Sequence, residues 1–197
     1  MGFSLEDAFS FREDIKLKLG VFGSHQGQAR DLWKYRKIKT DKSQKVTISD
    51  VLLREFLVDF SMQIIFATPD EKGANRLRTS FLNPHYALSA GNSDDLLKII
   101  SASEIVEVKQ QPSKNFQNTI LPGDHTAVYE PLLDLENTPI TESIRAPQVH
   151  LLPTKFVFHD DERRVARRQL FTFVGSPISL NQPIPAFNVN GTKVALM

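Results

Sequence analysis

The plainest hydrophobic pattern in the chain lies between Phe56 and Phe66, where Phe56, Val58, Phe60, Met62, Ile64 and Phe66 recur at every second position. Period two is the signature of a strand with one apolar face. A weaker alternation of Ile15, Leu17, Leu19 and Val21 against Lys16, Lys18 and Gly20 predicts a half-buried strand over 14–22. Upstream, Leu5, Ala8 and Phe9 share one helical face within Met1–Phe11, with no N-cap before them. Pro69 and Asp70 open a second helix carrying Ala74, Leu77 and Phe81 inward, with Arg76 and Arg78 outside, and Asn83-Pro84 ends it. A short helix is expected from Asn92 or Ser93, with Asp95 in its first turn and Leu96, Leu97, Ile99 and Ile100 following, and then a strand over Glu104–Val108. Pro112, Pro122, Pro131, Pro139 and Pro147 mark residues 110–147 as an irregular stretch with short extended pieces that wraps the core surface. Strands at 155–158 and 166–174 flank the turn His159-Asp160-Asp161-Glu162 as a hairpin, and Phe187–Leu196 offers one further strand. Irregularly interposed strands and helices, without repeated strand–helix units, predict an α+β architecture.

Residues 23–45 lose this periodicity and are punctuated by Gly23, Ser24 and Gly27, which predicts a long loop or a protruding hairpin. Charge makes the segment conspicuous. The chain as a whole is nearly balanced, with 24 basic and 23 acidic residues, so any affinity for a polyanion has to come from local clustering. Arg30, Lys34, Arg36, Lys37, Lys39, Lys42 and Lys45 supply such a cluster, interleaved with Trp33 and Tyr35 and interrupted only by the acids Asp31 and Asp41. Cations pair with phosphates and aromatic rings stack bases. A solvated loop whose Trp33 tucks into the core fits the same residues equally well. A second cluster, Arg163, Arg164, Arg167 and Arg168, follows Asp160, Asp161 and Glu162 directly. On an extended strand Arg163 and Arg167 share one face and Arg164 and Arg168 the other, and internal ion pairs of a surface hairpin compete with phosphate binding.

Other chemistries find little in the sequence. Cysteine is absent, which removes disulfides, thiolate metal sites and cysteine nucleophiles. His25, His85, His125, His150 and His159 stand singly, away from the i, i+4 spacing of helical metal sites. Gly23-Ser-His-Gln-Gly27 and Gly175-Ser-Pro177 lack the lysine or flanking glycines of phosphate loops and serine-nucleophile elbows. Asp94 and Asp95, adjacent in sequence, suit capping better than paired-carboxylate catalysis. No apolar run is long enough for a membrane span, and the N-terminal residues carry Glu6 and Asp7 in place of a cationic, apolar signal.

Four segments in order, Gly2-Phe-Ser-Leu-Glu-Asp-Ala-Phe9, Arg30-Asp-Leu-Trp-Lys-Tyr-Arg-Lys-Ile-Lys39, Val51-Leu-Leu-Arg-Glu-Phe-Leu57 and Asn83-Pro-His-Tyr-Ala-Leu-Ser-Ala-Gly-Asn-Ser-Asp-Asp-Leu-Leu-Lys-Ile99, resemble the CRISPR-associated protein 5 family, most closely its type I-B members. Ala90 replaces the leucine more usual there. The resemblance covers roughly residues 2–109 and, more loosely, 153–174. It implies a ferredoxin-like, RRM-type (RAMP) core over 1–109 carrying the basic loop 23–45, with 110–197 as a proline-rich wrap and C-terminal β-hairpin on the same domain. Met1 falls near the end of the family's first helix, so the implied core is incomplete at its N-terminus. The expectation is a truncated chain, a misassigned start or a core completed by a neighbour, and aggregation or unfolding at modest temperature when alone.

The function implied is that of a non-catalytic subunit of a prokaryotic, cytoplasmic surveillance complex in antiviral defence. Such a subunit binds the 5′ handle of CRISPR RNA, contacts the backbone and large subunits within a hetero-oligomer, reaches target DNA only through the complex, and needs no cofactor or membrane. Position matching places Arg30, Trp33, Lys34, Tyr35, Arg36, Lys37, Lys39 and Arg54 near the handle, with Arg163, Arg164 and Arg167 as further RNA-binding candidates. Two alternatives stand beside this reading. One is a metal-independent endoribonuclease using His25 or Tyr35 as acid or base and Lys34 or Lys37 to stabilise developing charge. The other is a protein scaffold that makes no RNA contact.

Overall fold

The computed structural model describes residues 5–41, 44–89, 96–132, 144–159 and 162–197. It corrects the expected fold class. The protein is mostly β, 60% strand against 10% helix, and its several antiparallel sheets do not form an α+β, ferredoxin-like core. Two helices, α1 (Leu5–Asp14) and α2 (Glu71–Leu82), accompany the strands β1 (Lys18–Ser24), β2 (Gly27–Asp41), β3 (Gln44–Val58), β4 (Ser61–Ala67), β5 (Leu88–Ser89), β6 (Leu96–Leu97), β7 (Gln110–Phe116), β8 (Thr119–Pro122), β9 (Tyr129–Pro131), β10 (Gln148–His159), β11 (Glu162–Val174), β12 (Ile178–Val189) and β13 (Thr192–Val194). The chain divides into two compact units, Gly23–Gln63 and the remainder.

In the larger unit a five-stranded sheet runs in the order β10-β11-β8-β1-β4. A second sheet is built on β12, with β7 along one side and β9 and β13 along the other. The core cluster draws Leu121 and Val174 from the first sheet, Phe116, Ile178, Leu180 and Ala186 from the second, and Ala195 from the tail. The chain changes sheet at two corners, Gln117-Asn118 and Gly175–Pro177. Asn118 adopts φ 50° and its N–H donates to the Gly175 carbonyl at 3.2 Å, tying the corners together. The fully buried Thr172 is satisfied on both sides, donating to the Gly123 carbonyl at 2.7 Å and accepting from the His125 N–H at 3.0 Å.

The described residues of 110–132 therefore do not merely wrap a core assembled elsewhere, because β7 and β8 contribute to its centre. The prolines are compatible with this for a local reason: Pro122 and Pro131 end their strands, and Pro112 sits on β7, an edge strand, where a missing N–H costs no ladder bond. Pro139 lies outside the described residues. The helix expected from Asn92 is not formed where it is described. Residues 90–95, with the proposed cap, lie outside the described residues, Leu96–Leu97 pairs with Leu88–Ser89, and 98–109 carries no regular element, so the strand expected over Glu104–Val108 is also missing. Four apolar residues in five are too short a run for periodicity to separate helix from strand.

Helix α2 follows its sequence signals closely. Asp70 caps it by accepting from the Lys72 N–H at 3.0 Å, and the Asn83 N–H closes the far end on the Thr79 carbonyl at 3.0 Å. Leu77 is buried, and Phe81 meets Phe66 with ring centroids 4.9 Å apart. The continuous strand expected over 56–66 is two strands. Asp59 adopts φ 50° and breaks the run, so Phe56 and Val58 belong to β3 and Met62, Ile64 and Phe66 to β4.

Candidate nucleic-acid interface

The basic segment is a β-hairpin. Strands β2 and β3 pair without interruption from Gly27 opposite Val58 to Asp41 opposite Gln44, fifteen residues a side. His25 donates from Nδ1 to the Gly27 carbonyl at 2.9 Å, and Gln26 bonds to Asp59, fastening the start of the hairpin. Directly opposed residues of an antiparallel pair share a face, so the register sorts the candidate side chains into two sets. One face carries Trp33, Tyr35, Lys37, Lys39 and Arg54 together with Ala29, Ile48, Leu52 and Phe56. The other carries Arg30, Lys34 and Arg36 with Leu32, Val51 and Leu53.

The first face is an aromatic platform with cations around it. Trp33 and Tyr35 lie tilted, centroids 6.1 Å apart, and the Arg54 guanidinium sits 5.5 Å above the indole. Arg54 also approaches Asp31 at 3.6 Å. Asp50, opposite Tyr35, accepts from the Lys37 ammonium and from the Tyr35 hydroxyl. That lysine hydrogen bond, reinforced by the Val51 N–H, holds the Asp50 carboxyl below the usual carboxylate range and Lys37 above the usual lysine value. Trp33 remains 40% exposed, which excludes the reading in which it fills a core.

On the opposite face Arg30 is bound to Glu55 at 2.8 Å. Lys34 and Arg36 make no ion pair among the described residues, and Val51, opposite Lys34, together with Leu32 and Leu53 on the base side, are all more than half exposed.

The second basic cluster does not act as a set. Arg164 pairs with Glu162 at 3.0 Å, and Arg163 lies 4.8 Å above the Phe156 ring. Arg167 instead enters a groove of about 500 Å³ in the larger unit, with Arg12, Lys16 and Lys155. Sequence reasoning missed those three, and also Asp50, because only the pairing register brings residues so distant in the chain together. The turn residues Asp160 and Asp161 lie outside the described residues. Among the described residues no three His, Asp or Glu side chains converge as a metal site would require, and no helix is long and apolar enough to cross a membrane. No protein-family model matches the chain, and neither a curated protein nor a solved structure matches it.

Proposed function

We propose that the β2–β3 hairpin is an arm that binds single-stranded RNA, and that the chain is a non-catalytic subunit holding the 5′ handle of the guide RNA in a type I CRISPR complex. The observation that carries the RNA reading is the Trp33–Tyr35 platform lying on the same face as Lys37, Lys39 and Arg54. Stacking platforms beside backbone-tracking cations are how proteins hold unpaired strands without a deep pocket. The handle assignment draws on the ordered sequence segments, two of which, Arg30–Lys39 and Val51–Leu57, form the paired strands of this hairpin. It does not draw on a ferredoxin-like core. The exposed leucines of the opposite face support assembly with protein subunits, the backbone and large subunits in this reading.

Trp33 is the sole tryptophan, so its emission reports directly on the platform. Titration with repeat-derived RNA carrying the handle is expected to quench it, with affinity falling as salt rises. If about four cations meet phosphates, the slope of log K against log salt is about −3. Unchanged emission together with salt-independent binding would reject the arm. Cleavage of that RNA in EDTA, abolished by His25→Ala, would replace the non-catalytic reading with the endoribonuclease one.

Asp50 gives a separate prediction. Its carboxylate sits within the platform and occupies both Lys37 and the Tyr35 hydroxyl. Because the Asp50 value is depressed, the pair persists as pH falls until that lowered value is reached, and because the Lys37 value is raised it persists on the alkaline side until pH passes that. The restraint is therefore fully present at neutral pH. Asp50→Asn is expected to strengthen RNA binding by about two- to fivefold at low salt, measured by fluorescence anisotropy, with the gain fading as salt is added.

A further inference from the structure

Helix α1 ends in an unusual way. The Leu17 N–H donates to the Arg12 carbonyl at 3.0 Å and the Lys16 N–H to the Glu13 carbonyl at 3.1 Å. These are the paired closing bonds of a Schellman motif, whose left-handed residue is most often glycine because a Cβ is disfavoured there. Here that residue is Lys16, at φ 49°. A long, charged side chain thus occupies the one position of this helix end where glycine would be easier.

Lys16 lines the groove described above. Its other walls include Arg12 from the last turn of the helix and Lys155, Phe156 and Arg167 from the β10–β11 hairpin. The hairpin is irregular at this place: Pro153 lies opposite Arg168, Lys155 opposite Arg167, and Thr154 between them has no cross-strand partner. The slip turns Lys155 to the same side as Arg167. The Thr154 hydroxyl, also in the groove wall, is buried and has no hydrogen-bond partner among the described residues. Four cations line the groove with Glu13 as the one carboxylate among its lining residues, and Glu13 lies 3.9 Å from Lys155, its one ion pair among the described residues. Gathering like charges at a strained helix end and a slipped register costs stability, and such costs concentrate where a ligand repays them.

We propose that this groove is a phosphate-binding site, held by Arg12, Lys16, Lys155 and Arg167 and taking a phosphoryl group in the open space between helix and hairpin. The guanidinium of Arg167 supplies a planar fork and the lysines point charges around it. The site is built wholly from residues of the larger unit and does not depend on the RNA reading. Its phosphate is either a free anion or one carried by an RNA strand, and these two sources are separable by experiment.

Lys16→Gly isolates the charge, since glycine keeps the left-handed conformation and relieves it. On the full chain, inorganic phosphate is titrated and followed by amide chemical shifts of residues 12–17 and 154–156. A 5′-phosphorylated RNA oligonucleotide and its 5′-hydroxyl counterpart are compared by anisotropy. The expected result is saturable phosphate binding weakened at least about tenfold by Lys16→Gly and by Arg167→Gln, while the melting temperature of Lys16→Gly is unchanged or higher. Preference for the 5′-phosphorylated strand, lost in the same variants, identifies a terminal phosphate as ligand. Equal binding of both strands, weakened equally by the variants, identifies a backbone phosphate, and an effect confined to inorganic phosphate identifies a free anion. Absence of saturable phosphate and RNA shifts in these residues, or binding untouched by both variants, overturns the site. Failure of the hairpin arm is read separately, from Trp33 emission.

Discussion

Trp33→Ala is expected to lower affinity for single-stranded RNA by about one to two orders of magnitude. Stacking of one base on an aromatic ring contributes roughly 1–3 kcal/mol, and each 1.4 kcal/mol is about a factor of ten. Trp33 is the larger ring of the platform, is substantially exposed before any ligand arrives, and is oriented by Tyr35 on one side and Arg54 above. Little reorganisation is then needed on binding. Trp33→Phe should recover much of the affinity because a flat π-face remains. Leu32→Ala, one position away but on the opposite face, should leave RNA binding within about twofold, since its loss removes neither a ring nor a cation from the platform. Equal losses in Trp33→Ala and Leu32→Ala would show that the hairpin merely needs to be folded. Anisotropy with a fluorescent oligonucleotide measures all three variants on one scale.

Leu121→Ala is expected to destabilise the larger unit by roughly 2–5 kcal/mol in urea unfolding, the range for truncating a buried leucine where neighbours cannot close the cavity. Leu121 has no exposed surface, lies on the short strand β8 between β11 and β1, and belongs to the core cluster drawn from both sheets. The variant tests the architecture directly. In a ferredoxin-like layout the same residue would belong to a peripheral wrap, and its truncation would cost less than about 1 kcal/mol, as surface changes usually do. A small effect would therefore speak against a core built from 110–122 and 171–195.

The elements legible in the sequence are those whose ends carry their own chemistry. Asp70 and Asn83 bracket α2 because a capping carboxylate and a helix-ending amide act within a few residues. The β10–β11 hairpin was legible from β-branched and aromatic residues around an acidic turn, although its strands run longer than 155–158 and 166–174. Asn190-Gly191, both at positive φ, is the two-residue hairpin turn between β12 and β13, a strong local sign beside which a single tail strand was too modest an expectation. The arm itself was ambiguous because neither of its faces is wholly apolar. Lysines, arginines and leucines occur on both sides, so alternation disappears from the sequence even though the backbone alternates perfectly. The core was misplaced for a different reason. Prolines in 110–147 signal breaks, and only the tertiary pairing reveals that the breaks fall at strand ends and along an edge. The groove could not be read locally at all, since Lys16 and Arg167 are joined by topology alone.

The uninterrupted register of the arm also restricts how its length can change. Each side chain's side is decided by whether its number is odd or even, so the arm obeys a parity rule. One residue gained in β2 before Trp33, with no bulge to absorb it, would send Trp33, Tyr35 and Lys37 to the side now held by Lys34 and Arg36 and part them from Arg54 and Asp50, which stay in place on β3. Two residues gained would restore them. Growth at the far end, beyond Asp41 and Gln44, would leave everything beneath it in place. Related arms are thus expected to differ in length chiefly at their tips, and along their shafts only in even steps.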